Sequence, residues 1–169
     1  MKLNSRKYPN ITYEKGEGFF LSPEEANSSF YFDVMEKELT SNDEAMAVVA
    51  AMLDEVDTLI DTAKDFLKKT LANEKSEYYE TVAYFMEFHR DEMDPDAVAE
   101  LFPVADPSAI LFIEMVDYLK IKRFGSLIDN KLNQQAFIMD LSFDPEVTDE
   151  LMVIYFNLEK QVYNVKHES

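Results

Sequence analysis

The chain has 169 residues, of which 47% are hydrophobic and 13% aromatic, and acidic residues exceed basic ones by 34 to 16. This length suits one domain with a single core, and the hydrophobic content excludes an intrinsically disordered chain. The absence of cysteine excludes disulfides, thiolate metal sites and cysteine nucleophiles, and the net charge of −18 disfavours binding to nucleic acid or anionic lipid.

The start of the chain, MKLNSRKYPN, contains basic residues but no following apolar segment, and no run approaches the roughly 18 apolar residues of a membrane span. We therefore expect a cytoplasmic protein without membrane contact. Because the chain has three glycines and no low-complexity linker, one domain is expected over residues 1–169, with flexible ends at residues 1–10 and 167–169.

The first forty residues predict strands and turns. A short extended piece in GEGFFLSPEE precedes a proline-led turn. In SSFYFDVMEKEL, alternation is typical of a strand with two faces, one carrying Phe30, Phe32 and Val34 and the other Tyr31, Asp33 and Met35.

Two longer helices come next. Ser41 and Glu44 have capping-box spacing, and apolar residues then recur at three and four positions up to Leu67, which predicts one amphipathic helix. A second helix is predicted from about Ser76 to His89. The connection NEKS is short, so the two helices are expected to pack antiparallel.

Two proline-led segments follow. In MDPDAVAELFP, Asp94 can cap a helix, Pro95 suits its first position and Pro103 ends it. In DPSAILFIEMVDYL, the apolar residues would nearly encircle a helix, which predicts burial on more than one side. A strand that begins in the same run is the alternative.

From Ile121 onward the hydrophobic period changes to two. KIKRFGSLID predicts a strand with a bulge or kink at Gly125, AFIMDLSF a two-faced strand, ELMVIYF a central strand and QVYNVKH an edge strand. The fold class expected is α+β: N-terminal strands, an antiparallel helix pair with shorter helices, and a C-terminal antiparallel β-meander packed against the helices.

The acidic loop between the last apolar strands is the main candidate for chemistry. Asp140, Asp144, Glu146 and Asp149 offer oxygen ligands for calcium or magnesium. The loop lacks the glycine and the final glutamate of an EF-hand, and Asp-Pro-Glu is a common way to open a turn. A structural turn is therefore favoured, and a metal site is the alternative.

Other candidates are weaker. HRDEMD resembles the kinase catalytic loop but lacks its asparagine, so His89 is interpreted as a structural or capping histidine. The basic residues Lys120, Lys122, Arg123 and Lys131 either complement a helix dipole or form a site for an anion or acidic partner. With so few glycines, nucleotide-binding loops are absent and no cofactor is expected.

The strand AFIMDLSF, the segment TDELMVIYFNLEKQVYNVKHES and the helix YYETVAYFMEFHRDEM together resemble a bacterial family of small acidic α+β proteins of unknown function. The resemblance extends from about Phe30 onward. It implies a bacterial source and a helix-plus-antiparallel-sheet domain, and it transfers no active-site residue.

These patterns favour a non-catalytic protein-interaction domain. Its sharper form is an immunity or antitoxin-type protein whose acidic surface binds a basic partner, such as a nuclease toxin. The alternative is a small carboxylate-dependent hydrolase or divalent-metal-binding protein that uses the acids at 140–149. A third possibility is a small homo-oligomer joined through a sheet edge, rather than a monomer.

Overall fold

A computed structural model describes residues 1–169 and shows six strands and seven α-helices. The strands are β1 (Phe19–Leu21), β2 (Tyr31–Val34), β3 (Lys120–Asp129), β4 (Gln134–Ser142), β5 (Leu151–Phe156) and β6 (Val162–Glu168). The α-helices are α1 (Pro23–Ala26), α2 (Lys37–Thr40), α3 (Asp43–Asp54), α4 (Val56–Leu71), α5 (Tyr79–Glu87), α6 (Pro95–Leu101) and α7 (Phe112–Met115). A π-helical turn (Phe88–Glu92) follows α5, and 3-10 turns cover Pro107–Ala109 and Val116–Tyr118.

The six strands form one sheet in the order β1-β2-β3-β4-β5-β6. Strands β3 to β6 pair antiparallel, which confirms the C-terminal meander, and the mixed α+β fold class is confirmed with it. The N-terminal hairpin β1–β2 joins this meander through a parallel pairing of β2 with β3. A parallel neighbour needs a crossover connection, and the helices α2 to α7 lie within it.

Alternate residues of the strands form one side of the hydrophobic core. Phe124 and Phe137 are fully buried, and their rings stack with centroids 5.9 Å apart. They belong to a core of 36 buried residues that also includes the apolar stripes of α3, α4 and α5. A fully buried phenylalanine contributes roughly 1.5–3 kcal/mol, so this face of the sheet anchors the helices. The opposite face carries buried residues outside this core, among them Ile138 and Val153.

The helix predicted from Ser41 is two helices, α3 and α4, and its N-cap is Asn42. The Asn42 side chain accepts hydrogen bonds from the backbone N–H groups of Glu44 and Ala45 at 3.0 and 3.1 Å. The helices meet at Glu55, which leaves the helical region with ψ 15°. Beside this break, Asp54 accepts a 2.6 Å bond from the Ser5 hydroxyl, which ties the first ten residues to the end of α3.

The single buried helix predicted over residues 106–119 is wrong. The segment forms two 3-10 turns and the short α7, with extended backbone at Ile110 and Leu111. Ile110 is buried but Leu111 is 62% exposed, so the apolar run lies partly on the surface. The helix from Asp94 to Leu101 is confirmed, with Pro95 at its first position and Asp94 capping it.

The length and hydropathy of the helices bear on membrane insertion. None of them is both long enough and apolar enough to span a bilayer.

Candidate functional site

The four acids of the predicted metal site do not form one cluster. Asp140 is a buried residue of β4, whereas Asp144, Glu146 and Asp149 lie in the loop between β4 and β5. The Asp144 carboxylate accepts a 2.9 Å bond from the Glu146 N–H, and its carbonyl accepts from Val147 and Thr148. This is the turn that Asp-Pro-Glu predicts. No group of three or more histidine, aspartate or glutamate side chains is arranged to hold a metal ion.

Asp140 belongs instead to a cluster with Asp33 and Arg123 on the sheet face opposite the helices. The Arg123 guanidinium donates to both oxygens of Asp33, from Nε at 2.6 Å and from Nη2 at 3.0 Å. Its Nη1 lies 3.5 Å from Asp140 Oδ2, a much weaker contact. No sequence pattern predicts this pairing, because Asp33 and Arg123 are 90 positions apart.

Two local features of β3 make the cluster possible. The β3–β4 register shifts between Ile121 and Arg123, and this bulge turns Arg123 to the face that carries Asp140. The prediction of a bulge at Gly125 is therefore wrong in position. Gly125 has another role, because a Cβ there would lie 2.6 Å from Asp33 Oδ1, and glycine leaves room for that carboxylate.

The electrostatics of the cluster are asymmetric. The hydrogen bonds to Asp33 raise the pKa of Arg123, so this side chain stays charged. Burial raises the pKa of Asp140 above its usual range, and Arg123 opposes that shift. Asp140 Oδ1 is buried without a hydrogen-bond partner. Arg123 donates its two short hydrogen bonds to Asp33. We therefore interpret the cluster as a link between β2 and β3 and not as a reactive carboxylate.

His89 is a structural histidine, as one of the two sequence interpretations holds. It is fully buried, with Nδ1 2.8 Å from the Phe85 carbonyl and Nε2 2.9 Å from Thr148 Oγ1. Thr148 Oγ1 accepts from the Glu150 N–H, so its own proton can serve His89 Nε2. Burial lowers the pKa of His89, which favours the neutral ring over a helix-capping cation.

Two parts of the chain each carry a net charge of −10: residues 24–65 and the segment Glu74–Asp117, which we call the acidic segment. The acidic segment contains twelve acidic residues against Lys75 and Arg90, and the whole chain has a net charge of −18. All twelve carboxylates are exposed. Counting charges segment by segment would have revealed both acidic parts from the sequence.

The same segment exposes apolar side chains. Leu111 and Ile113 are 62% and 41% exposed, and Val104 is 36% exposed. Their exposure was not predicted, because the run was expected to be a buried helix. Singly exposed apolar residues are ordinary on protein surfaces, but Val104, Leu111 and Ile113 lie within ten positions of one another in the acidic segment.

Arg90 holds this surface in place. Its guanidinium donates to Asp91 at 2.8 and 3.0 Å and, from Nη1, to the Ile110 carbonyl at 3.1 Å. It also lies 4.3 Å from the centroid of the Phe112 ring. Because Ile110 and Phe112 are fixed, Leu111 and Ile113 on either side of Phe112 remain at the surface. The sequence could not predict these contacts across 20 positions.

A groove adjoins the same surface. It has a volume of about 430 Å³ and lies between the π-helical turn, α6 and the 3-10 turn at Pro107. Met93, Val98 and Pro107 give it apolar walls, and Asp91 and Asp106 place carboxylates at its sides. Arg90 also lines the groove, so its walls are apolar with two carboxylates against one guanidinium.

Comparisons with known proteins add no relative: no protein-family model, curated protein or solved structure matches the chain. They therefore give no support to the resemblance to a bacterial family, and function has to be inferred from the surface itself.

Proposed function

We propose that this protein is a non-catalytic interaction domain whose acidic segment binds a basic protein partner. The observation that supports the proposal most is the exposure of Leu111 and Ile113 in a segment that also carries twelve exposed acidic residues. A partner segment with a basic rim and an apolar centre would complement both features.

The two features contribute differently to binding. Burial of apolar surface stabilises a complex by roughly 25 cal/mol per Å² before the costs of association are subtracted, so Leu111 and Ile113 supply affinity. The net charge of −10 in the segment attracts a cationic partner over distance, which increases the association rate and makes it sensitive to salt.

The sharper form of the proposal is an immunity or antitoxin-type protein that acts in the cytoplasm. Its partner would be a basic toxin, such as a nuclease whose own surface is adapted to a polyanion. A large acidic patch could occupy that surface.

The experiment measures binding of a labelled amphipathic peptide, with lysine on one face of a helix and leucine on the other, by fluorescence anisotropy. We expect Kd to rise at least about tenfold between low and high salt, because the charge term is screened. A peptide with glutamate in place of lysine is the charge control. Binding that is equal for both peptides would refute the proposal.

The surface is tested with matched variants. Leu111→Ser/Ile113→Ser should weaken peptide binding, whereas Phe20→Ser/Met35→Ser should not, because Phe20 and Met35 are similarly exposed but lie on β1 and just after β2, outside the acidic segment. Equal losses in the two double variants would contradict the assignment of the acidic segment.

A further inference from the structure

A second cleft, on another part of the surface, has the opposite charge. It has a volume of about 500 Å³ and lies where the N-terminal segment, α4, the start of β3 and the residues before β2 meet. Its charged wall consists of Lys64, Lys120 and Lys122 against the single acid Asp57. We call it the lysine cleft.

The lysine cleft is unusual for this protein. Four other surface clefts are each lined by at least as many carboxylates as lysines and arginines. The one carboxylate in the lysine cleft, Asp57, is already neutralised by an ion pair with Lys7. Because the chain has 34 acidic and 16 basic residues, its composition alone would not predict a cleft of net positive charge.

The three lysines form no salt bridges, although the charges of Asp117 and Asp61 act on Lys64. None of them forms an ion pair, although Lys7, Lys15, Lys68, Lys69 and Lys160 all do. Lys64 donates from Nζ to the backbone carbonyl of Asp117 at 3.1 Å, while the Asp117 carboxylate pairs with Lys68. Two of the three protons on Lys64 Nζ therefore remain available, and burial lowers the pKa of this ammonium.

The rest of the cleft wall is aromatic and apolar. Tyr8 packs edge-on against Phe30 with ring centroids 5.8 Å apart, and Tyr31 is 38% exposed. A cleft with a few cationic donors and an aromatic wall suits a ligand that has an anionic end and a flat apolar end.

The basic residues that lie close together in sequence between Lys120 and Lys131 are thereby separated in space. Arg123 faces Asp33, and Lys131 lies in the turn between β3 and β4, whereas Lys120 and Lys122 share the cleft with Lys64 of α4. At the bulge after Ile121, Lys122 lines the cleft while the next residue, Arg123, binds Asp33.

We propose that the lysine cleft binds a small phosphate-bearing molecule with a flat apolar group, of the nucleoside monophosphate type. Lysine ammonium groups bind phosphate as point charges, and the Tyr8 and Tyr31 rings would contact the flat group. This site is independent of the proposed protein-binding surface, and neither depends on the other.

The test titrates the protein with adenosine monophosphate, inorganic phosphate and uncharged adenosine, using thermal shift and isothermal calorimetry. Adenosine monophosphate should raise Tm at about 5 mM, inorganic phosphate should do so less, and adenosine should have the smallest effect. Lys64→Gln/Lys122→Gln should weaken the binding of adenosine monophosphate at least about tenfold. Lys37→Gln/Lys75→Gln changes the net charge equally with exposed lysines outside the cleft, and should bind like the wild type.

Amide chemical shifts of the wild-type protein provide a readout that does not depend on how a variant folds. The largest changes on adding adenosine monophosphate should map to Lys64, Lys120, Lys122 and Tyr31. The proposal is overturned by no response to either phosphate-bearing probe, by changes mapped elsewhere, or by equal weakening in the two double variants.

Discussion

Replacing Arg123 by methionine removes the cation that contacts the buried carboxylates Asp33 and Asp140. Asp33 is 2% exposed and loses both of its guanidinium hydrogen bonds. Breaking a buried ion pair from one side costs about 3–5 kcal/mol, and the lower end applies because the Arg123 side chain is 30% exposed. The expected loss of unfolding free energy is about 3 kcal/mol, or roughly 6–12 °C in Tm for a chain of this size.

Urea unfolding followed by circular dichroism measures this loss, and a double-mutant cycle assigns it. If the cost comes from the uncompensated Asp33 charge, Asp33→Asn should reduce the effect of Arg123→Met, with a coupling of at least about 2 kcal/mol. The cycle with Asp140→Asn should give less than about 1 kcal/mol, because that contact is a single one at 3.5 Å. A loss below about 1 kcal/mol in Arg123→Met, or equal couplings to both acids, would refute the reasoning.

Three further predictions concern the same region. The pKa of Asp140 is higher in the folded protein than in the unfolded chain. Its contribution to stability therefore declines as pH rises above the pKa that Asp140 has in the unfolded chain. Asp140→Asn should therefore gain stability relative to wild type between about pH 4 and pH 7 in urea unfolding, and a constant difference would contradict this. Gly125→Ala should cost about 1–3 kcal/mol, because its Cβ would crowd Asp33, and unchanged unfolding would contradict this. Calcium or magnesium at about 5 mM should shift Tm by less than about 1 °C, since the acids at 140–149 do not converge; a larger shift that is lost in Asp144→Asn/Glu146→Gln would restore the metal site.

Local signals in the sequence were sufficient for much of the fold. The Asp94-Pro95 pair fixes the start of α6 through capping and a preset backbone angle, both of which depend on neighbouring residues alone. The alternation in β4 places Phe137, Met139 and Leu141 in the core because the side-chain period of a strand is two. Such features need no knowledge of distant parts of the chain.

The errors arose where distant contacts override local preference. An apolar run at residues 110–116 suggests a buried helix, but Arg90 binds the Ile110 carbonyl and holds Ile110 and Leu111 in an extended conformation. The position of Arg123 depends on a strand bulge that its flanking residues do not signal. Both candidate binding surfaces depend on such contacts, so sequence supplied their charges but not their geometry.

The parallel pairing of β2 with β3 also affects the order of folding. Tyr31 and Arg123 are neighbours in the sheet, although most of the helical residues separate them in the chain. The meander β3 to β6 can form from adjacent hairpins, while the β1–β2 hairpin can join only after a long loop has closed. During synthesis on a ribosome, β2 therefore emerges long before β3. Its Phe32 and Val34 side chains can already meet β1 but lack their neighbours on β3 until then. This interval is when a chaperone would have most to bind.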